Sequence, residues 1–111
     1  MAIPIIVTGD DADIFVTLTK DDATFTIAPA DTVEAAIVSV DHETLLMAAV
    51  SQSEAAAGAD WANSLVAVEF TAAQTALIIK TGHALLAVQA TISGKKTTWF
   101  DDVGVVQGQI S

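Results

Sequence analysis

The sequence predicts an all-β protein: an antiparallel β-sandwich with one short helix, formed by a single domain that spans residues 1–111. Apolar and polar residues alternate with period two over most of the chain, which is typical of strands with one buried face. Turn residues recur at intervals of about 8–12 residues, which favours a sandwich or barrel of about eight strands. The composition, 52% hydrophobic and 16% charged over 111 residues, supplies enough apolar material for one core.

The first strongly alternating segment is residues 13–19, whose aliphatic side chains share one face of the predicted strand. Residues 20–23 carry a turn signal, because they combine Lys, two Asp and Ala between two apolar runs. Residues 24–27 then predict a short returning strand, and a segment that contains proline ends it.

A hairpin is predicted between residues 33–40 and 43–51, which are joined by the short connection Asp41-His42. Helix is an alternative for each half, because Ala and Leu are good helix formers. The β-branched residues and the short connection favour strands. Residues 52–60 follow as a loop.

A further strand is predicted at residues 64–70, and a capping box follows it. Thr71 and Gln74 stand three positions apart, so that each side chain can bind the backbone N–H of the other residue. This pair predicts a helix over residues 72–80, which Gly82 ends.

The last third of the chain predicts strands throughout. Residues 84–92 place a continuous row of apolar side chains on one face, and a Ser-Gly-Lys-Lys turn follows. Residues 97–100 pair back along this strand. The Asp pair at 101–102 predicts a break or a bulge, and residues 103–110 form the last strand.

The charge balance excludes one class of function. The chain carries 14 acidic residues against 4 lysines and no arginine, which gives a net charge of -10. Nucleic acids and anionic membranes bind to Lys and Arg through their phosphates, so we expect neither as a partner. The charge either keeps an apolar chain soluble or fits a partner with a basic face.

The absence of cysteine excludes disulfides, thiolate metal sites and cysteine nucleophiles. The N-terminal residues lack the basic start and the long apolar centre of a signal peptide. No stretch approaches the roughly 20 apolar residues that span a bilayer. We therefore expect a protein that is made in the cytoplasm.

Candidate catalytic and metal-binding residues are few. The acidic cluster Asp10, Asp11 and Asp13 is a candidate surface for interaction with another protein. The alternative is that it binds calcium through its carboxylate oxygens, although the spacing lacks the EF-hand pattern. His42 lies in the predicted hairpin turn, and His83 follows Gly82 at the start of a predicted strand. The two have no third zinc ligand nearby, and we expect both to be exposed. The sequence has no G-x-S-x-G elbow, P-loop or dinucleotide-binding run. We expect no catalytic, cofactor-binding or metal site and no enzymatic activity.

The two tryptophans, Trp61 and Trp99, are the largest apolar side chains. An exposed Trp on a sheet stacks on sugars or fills a partner's pocket, which makes Trp61 a candidate interaction residue. The favoured alternative is that each Trp closes one end of the core and donates its N–H to a backbone carbonyl. Trp99 and Phe100 point to opposite faces of a strand, and we expect Trp99 to face the core.

The order of several segments resembles a known family. The segments are Gly58-Ala59-Asp60-Trp61, Val66–Thr71, Gln74-Thr75-Ala76, Ala87–Thr91, Gly94-Lys95 and Thr98-Trp99-Phe100. This series resembles the immunoglobulin-like β-sandwich modules of tailed-bacteriophage virions, such as the N-terminal domains of baseplate upper proteins and modules of some fibre or neck proteins. The N-terminal half is similar to them as well, so the resemblance covers nearly the whole chain. It implies an immunoglobulin-like sandwich and carries no catalytic residues.

The resemblance implies a virion structural protein, located in the virion as a tail, neck, fibre-base or capsid-decoration component that acts by protein–protein assembly. Family modules often precede a longer receptor-binding part, so the end of this chain at Ser111 favours a standalone adaptor, decoration or fibre-base protein. We expect other virion proteins as partners. We also expect a homo-oligomer, with a trimer preferred by analogy to phage fibres, because the mean hydropathy of +0.55 is high for a monomer. The alternatives are a small ligand- or carbohydrate-binding β-sandwich module that uses Trp61 and Trp99 and, more distantly, a small hydrolase.

Overall fold

A computed structural model of the chain describes residues 4–20, 23, 25–28, 31–56, 58–78, 80–92 and 94–107. These residues form seven strands, one short α-helix and one 3-10 turn. None of the helices in this part of the chain is long and apolar enough to cross a bilayer. The elements are β1 (Ile5–Val7), β2 (Ala12–Thr17), β3 (Thr32–Val38), β4 (Leu45–Gln52), the 3-10 turn (Trp61–Asn63), β5 (Leu65–Phe70), α1 (Ala72–Thr75), β6 (Gly82–Ile92) and β7 (Lys95–Val106).

The strands form two sheets that share one hydrophobic core, which confirms the predicted all-β sandwich with one short helix. The larger sheet has five strands in the order β1-β7-β6-β3-β4, and the smaller sheet consists of β2 and β5. Every pair is antiparallel except β1 with β7, where Ile5 lies opposite Gly104 and the strands run in the same direction. The sequence pattern could not reveal this parallel pair, because side chains alternate in the same way in both directions.

Strand β6 lies at the centre of the larger sheet and supplies one wall of the core. Its residues Ala84, Leu86, Val88 and Ala90 point to one side and are each at most 1% exposed, as the alternation predicts. The opposite wall comes from β2 and β5, whose buried residues alternate with outward-facing ones along most of each strand. Its main residues are Ile14, Val16, Val66, Val68 and Phe70.

The helix begins where predicted but is shorter than predicted. The capping box is present, since Thr71 Oγ1 accepts a hydrogen bond from Gln74 N and Gln74 Oε1 accepts one from Thr71 N at 2.8 Å. The helix ends at Thr75 rather than at residue 80, and Gly82 begins β6 instead of ending a helix. A short helix has little stability of its own, so only the capped turn, held by its tertiary contacts, is helical.

The returning strand predicted at residues 24–27 is wrong. Residues 25–28 are irregular, and Thr24 lies outside the described residues. Two of their hydrogen bonds go to the 3-10 turn: Ile27 N donates to Trp61 O at 2.8 Å, and Thr26 Oγ1 donates to Ala62 O at 3.0 Å. The apolar Ile27 of this segment is buried without belonging to a sheet.

The break predicted at residues 101–102 is also wrong, because β7 continues through both aspartates. Its pairing with β6 runs from Lys95 opposite Ile92 to Val105 opposite Gly82 without a register shift. Both Asp side chains are exposed, so the strand can carry them without burying a charge. The predicted turn residues 21, 22 and 93 and the end of the predicted last strand at residues 108–110 lie outside the described residues.

Trp99 packs against the core and Phe100 faces outward, which confirms the prediction for this pair. The ring of Trp99 stacks on that of Phe25 with centroids 5.7 Å apart, and Trp99 Nε1 donates to Thr19 O at 2.9 Å. Phe100 lies on the opposite face and is 45% exposed. Trp99 thus closes the end of the core near the β6–β7 turn.

Replacing Trp99 should therefore destabilise the fold far more than replacing its neighbour. We expect Trp99→Ala to lower the free energy of unfolding by about 3 kcal/mol, the lower end of the range for a large aromatic side chain, because Trp99 is only partly buried. Phe100→Ala, the matched control, should cost less than about 1 kcal/mol. Urea denaturation of both variants measures the difference, and equal losses would contradict the assignment of Trp99 to the core.

Candidate functional site

Apolar side chains cross the outer face of the five-stranded sheet in two neighbouring rows. Residues that lie opposite each other on antiparallel strands point to the same face, and neighbouring strands are about 4.8 Å apart, so each row is continuous. Leu45 and Phe100 are 58% and 45% exposed. The two rows, called the outer apolar face below, are Leu45, Val38 and Leu85, and then Ala36, Ala87 and Phe100.

The turn between β3 and β4 shapes one end of the outer apolar face. The Asp41 carboxylate accepts hydrogen bonds from Ser39 Oγ and Glu43 N, and the bond from Ser39 is the main reason that the pKa of Asp41 lies below its usual range. Folding lowers this pKa, so the carboxylate favours the folded turn at neutral pH and loses that effect as the pH falls through its folded pKa. Beside it, His42 has a left-handed φ of 65°, and its ring lies 4.4 Å from that of Phe100.

The three acids of the predicted interaction cluster do not converge on one point. Asp11 Oδ1 accepts a hydrogen bond from Ala72 N at 2.7 Å, at the start of α1. Asp10 and Asp13 are exposed, Asp10 before β2 and Asp13 within it. No group of three or more His, Asp or Glu side chains in the described part of the chain is placed to hold a metal ion.

Thr75 fastens the connection between β1 and β2 to the helix. The residue is 0% exposed, and its Oγ1 donates to Asp10 O at 2.7 Å and accepts from Gly9 N at 3.0 Å. These bonds join segments that are more than 60 residues apart in sequence. The capping box therefore positions a buried hydroxyl whose function is structural.

Trp61 lies in the core, which corrects its prediction as a surface contact. It begins the 3-10 turn and is only 5% exposed, because its large apolar ring is more stable away from water. Burial agrees with the alternative that the sequence favoured. The expected hydrogen bond does not form, since Trp61 Nε1 has no partner among the described residues.

A cleft of about 250 Å³ opens beside Trp99, lined by Phe25, Trp99, Ile92 and the lysines Lys20 and Lys95 among others. Two of the chain's four lysines therefore lie at one apolar cleft. Trp61 lines a different cleft of about 260 Å³. The two tryptophans consequently do not form one ligand site.

The two histidines are exposed and lie in different elements. His42 is in the β3–β4 turn and His83 follows Gly82 at the start of strand β6, both as predicted. His83 Nε2 lies 2.8 Å from Asp102 Oδ1 on the neighbouring strand β7. Both groups are more than half exposed, so this pair adds little to stability.

The outer apolar face is the feature that the sequence analysis missed. Its signal is present in β6, where Leu85 and Ala87 alternate with core residues and make both faces of the strand apolar. Apolar residues on both faces are typical of a strand that is buried on both sides. No protein-family model, curated protein or solved structure matches this chain.

Removing the Thr75 hydroxyl should measurably weaken the fold. Thr75→Val keeps the shape of the side chain but leaves Gly9 N and Asp10 O without their partner, so we expect a loss of about 1–3 kcal/mol in the free energy of unfolding. Thr75→Ser keeps the hydroxyl and should lose only about 0.8 kcal/mol for its missing methyl group. Chemical denaturation compares them, and a valine variant as stable as the serine variant would refute the role of the hydroxyl.

Proposed function

We propose that this chain is a structural protein of a tailed-bacteriophage virion, a tail, neck, fibre-base or capsid-decoration component that acts by protein–protein assembly. Its sequence resembles immunoglobulin-like virion modules over nearly its whole length, and a β-sandwich is compatible with that family. The observation that carries the assembly role is the outer apolar face. A contiguous apolar surface outside the core is typical of a site where another protein docks.

The charges around the outer apolar face favour a partner with a basic rim. Glu34 lies on the same face of β3, two residues from Ala36, and Asp102 lies opposite Leu85 on β7. The whole chain has a net charge of -10. A partner surface with an apolar centre and Lys or Arg at its edge would match this arrangement in both hydrophobicity and charge.

Purified virions provide the test. We expect mass spectrometry to find this chain in the particles at a constant ratio to a major structural protein, and its gene to lie beside those for a terminase, portal or tail tube. Leu45→Asp should reduce incorporation strongly, because it places a charge within the docking face. Leu77→Asp is the matched control, since Leu77 is 67% exposed but lies outside that face, after α1.

Two results of these experiments would contradict the proposed function. Particles that lack the chain would overturn a structural role in the virion. Equal incorporation of the Leu45 and Leu77 variants would overturn docking through the outer apolar face. Circular dichroism of both variants shows whether each has kept its fold.

A ligand-binding module is the second candidate function, and the cleft beside Trp99 is the observation that favours it. Aromatic rings next to a cleft can stack on sugars. NMR titration with neutral mono- and disaccharides distinguishes the two functions, because the indole N–H of Trp99 would shift while that of Trp61, at the other cleft, would not. We expect neither signal to move.

A further inference from the structure

Among the described residues, strand β7 is paired along most of its length on one side and only near its end on the other. On one side β6 pairs with β7 from Lys95 to Val105, whereas on the other side β1 pairs only with Gly104 to Val106. Within the described part of the chain, no strand lies against the second side of residues 95–103. An open edge presents unpaired N–H and C=O groups that can pair with another chain.

The hydrogen bonds to β1 show which backbone groups face this edge. Gly104 N donates to Pro4 O at 2.9 Å, and Val106 O accepts from Thr8 N at 3.0 Å, so these two residues direct their backbone groups away from β6. The register between β6 and β7 is unbroken, and the direction of the backbone groups therefore alternates along the whole strand. The residues whose N–H and C=O groups face the open edge are Lys96, Thr98, Phe100 and Asp102.

The charges along this edge are complementary to those of a second, antiparallel copy. The edge reads Lys-Lys-Thr-Thr-Trp-Phe-Asp-Asp from residue 95 to residue 102, with two cations at one end and two anions at the other. The side chains of Lys95, Lys96 and Asp101 make no hydrogen bond or ion pair with any other described residue. Antiparallel pairing with a second copy brings lysines beside aspartates twice, whereas parallel pairing would place like charges together.

Two-fold symmetry restricts the register of such a pair. The two-fold axis that relates two antiparallel edge strands is normal to the sheet, so it leaves each side chain on the same face. Residues directly opposite each other also share a face. One residue must therefore lie opposite the same residue of the second copy, with the axis between them. With Thr98 in that position, Lys95 lies opposite Asp101 on one face. Lys96 then lies diagonal to Asp102 on the other face, within reach of its long side chain.

The neighbouring choice, with the axis at Trp99, is excluded by β1. That register would place Gly94 of the second copy opposite Gly104. The space beside Gly104 is already occupied, because Gly104 N donates to Pro4 O there. With the axis at Thr98, Gly94 of the second copy lies opposite Asp102, two residues before this contact.

We propose that two copies of this chain pair edge to edge through β7, antiparallel about a two-fold axis at Thr98, and so join their two five-stranded sheets into one continuous sheet. Thr98 then lies opposite Thr98 of the second copy, and Lys96 of each copy lies opposite Phe100 of the other. The backbone N–H and C=O groups of these residues that face the open edge therefore gain hydrogen bonds. The inference deepens the proposed function and rests on it only for the premise that the chain assembles. The outer apolar face remains uncovered for the docking of another protein.

Charge reversal with rescue tests the interface. In 0.15 M salt, where long-range repulsion between the acidic chains is screened beyond about 8 Å, light scattering should give the wild-type protein twice the 11.4 kDa mass of one chain. The variants K95E/K96E and D101K/D102K each place like charges opposite one another, so each alone should dimerise about tenfold more weakly. An equimolar mixture restores opposite charges at every position and should form a mixed dimer.

Two proline variants test the backbone pairing independently of charge. Thr98 N–H faces the open edge, so Thr98→Pro should keep the fold and abolish the dimer, as proline is tolerated where a strand N–H faces outward. Thr97 N–H faces β6, so Thr97→Pro should instead lower the melting temperature strongly. A Thr98→Pro protein that dimerises like the wild type would overturn the proposal.

The remaining outcomes are equally decisive. A mixture of folded charge variants that stays monomeric, or a wild-type mass of one or three chains, would overturn the edge-to-edge dimer, because two-fold pairing of this edge closes at two copies. A protein that is monomeric but present in virions would leave the proposed function standing. Leu45→Asp leaves the β7 edge unchanged, so its effect on incorporation is measured separately from dimerisation.

Discussion

The paired ladder of β6, with β3 on one side and β7 on the other, constrains the rest of the structure. Its alternate residues from Ala84 to Ala90 form the wall against which the smaller sheet packs. A shift of one residue in the register of either ladder would turn these side chains away from the core and turn those of the opposite face toward it. Three of the wall's four side chains, those of Ala84, Val88 and Ala90, are Ala or Val. The register of β6 therefore decides which of its residues form the core.

The smaller sheet is held in place by polar contacts as well as by the core. Two strands alone are marginally stable in water, so β2 and β5 need support from the segments around them. Ser64, which is 0% exposed, donates from Oγ to Leu18 O at 2.6 Å and so fixes the chain where β2 ends and β5 begins. Thr75 performs the same function at the opposite end through Gly9 and Asp10. Each buried hydroxyl thus holds a backbone segment next to β2 through hydrogen bonds.

Charge and hydrophobicity act together on the surface of this protein. The acidic excess keeps chains apart in general, while the outer apolar face and the open edge of β7 provide surfaces that another chain can cover. The lysines and aspartates at the two ends of that edge hinder pairing in most registers, because most registers bring like charges together or leave charges unmatched. The antiparallel register with its axis at Thr98 matches them and avoids the contact between Gly104 and Pro4. The same residues that protect the edge from unselective association can therefore specify one partner and one geometry.

Local sequence determined those features that depend on neighbouring residues: the buried faces of the strands through period-two alternation, the start of α1 through the Thr71–Gln74 capping box, and the inward position of Trp99 beside Phe100. Tertiary structure decided the features that depend on which segments meet. It made β1 parallel to β7, limited the helix to one capped turn and buried Trp61. No described segment covers the outer side of β6, although Leu85 and Ala87 on that side are apolar. An alternating pattern shows which face of a strand is apolar. Whether another segment packs against that face depends on how the whole chain folds. Among the described residues, one face of the larger sheet is covered, whereas the second face is partly exposed and strands β4 and β7 each have an unpaired edge.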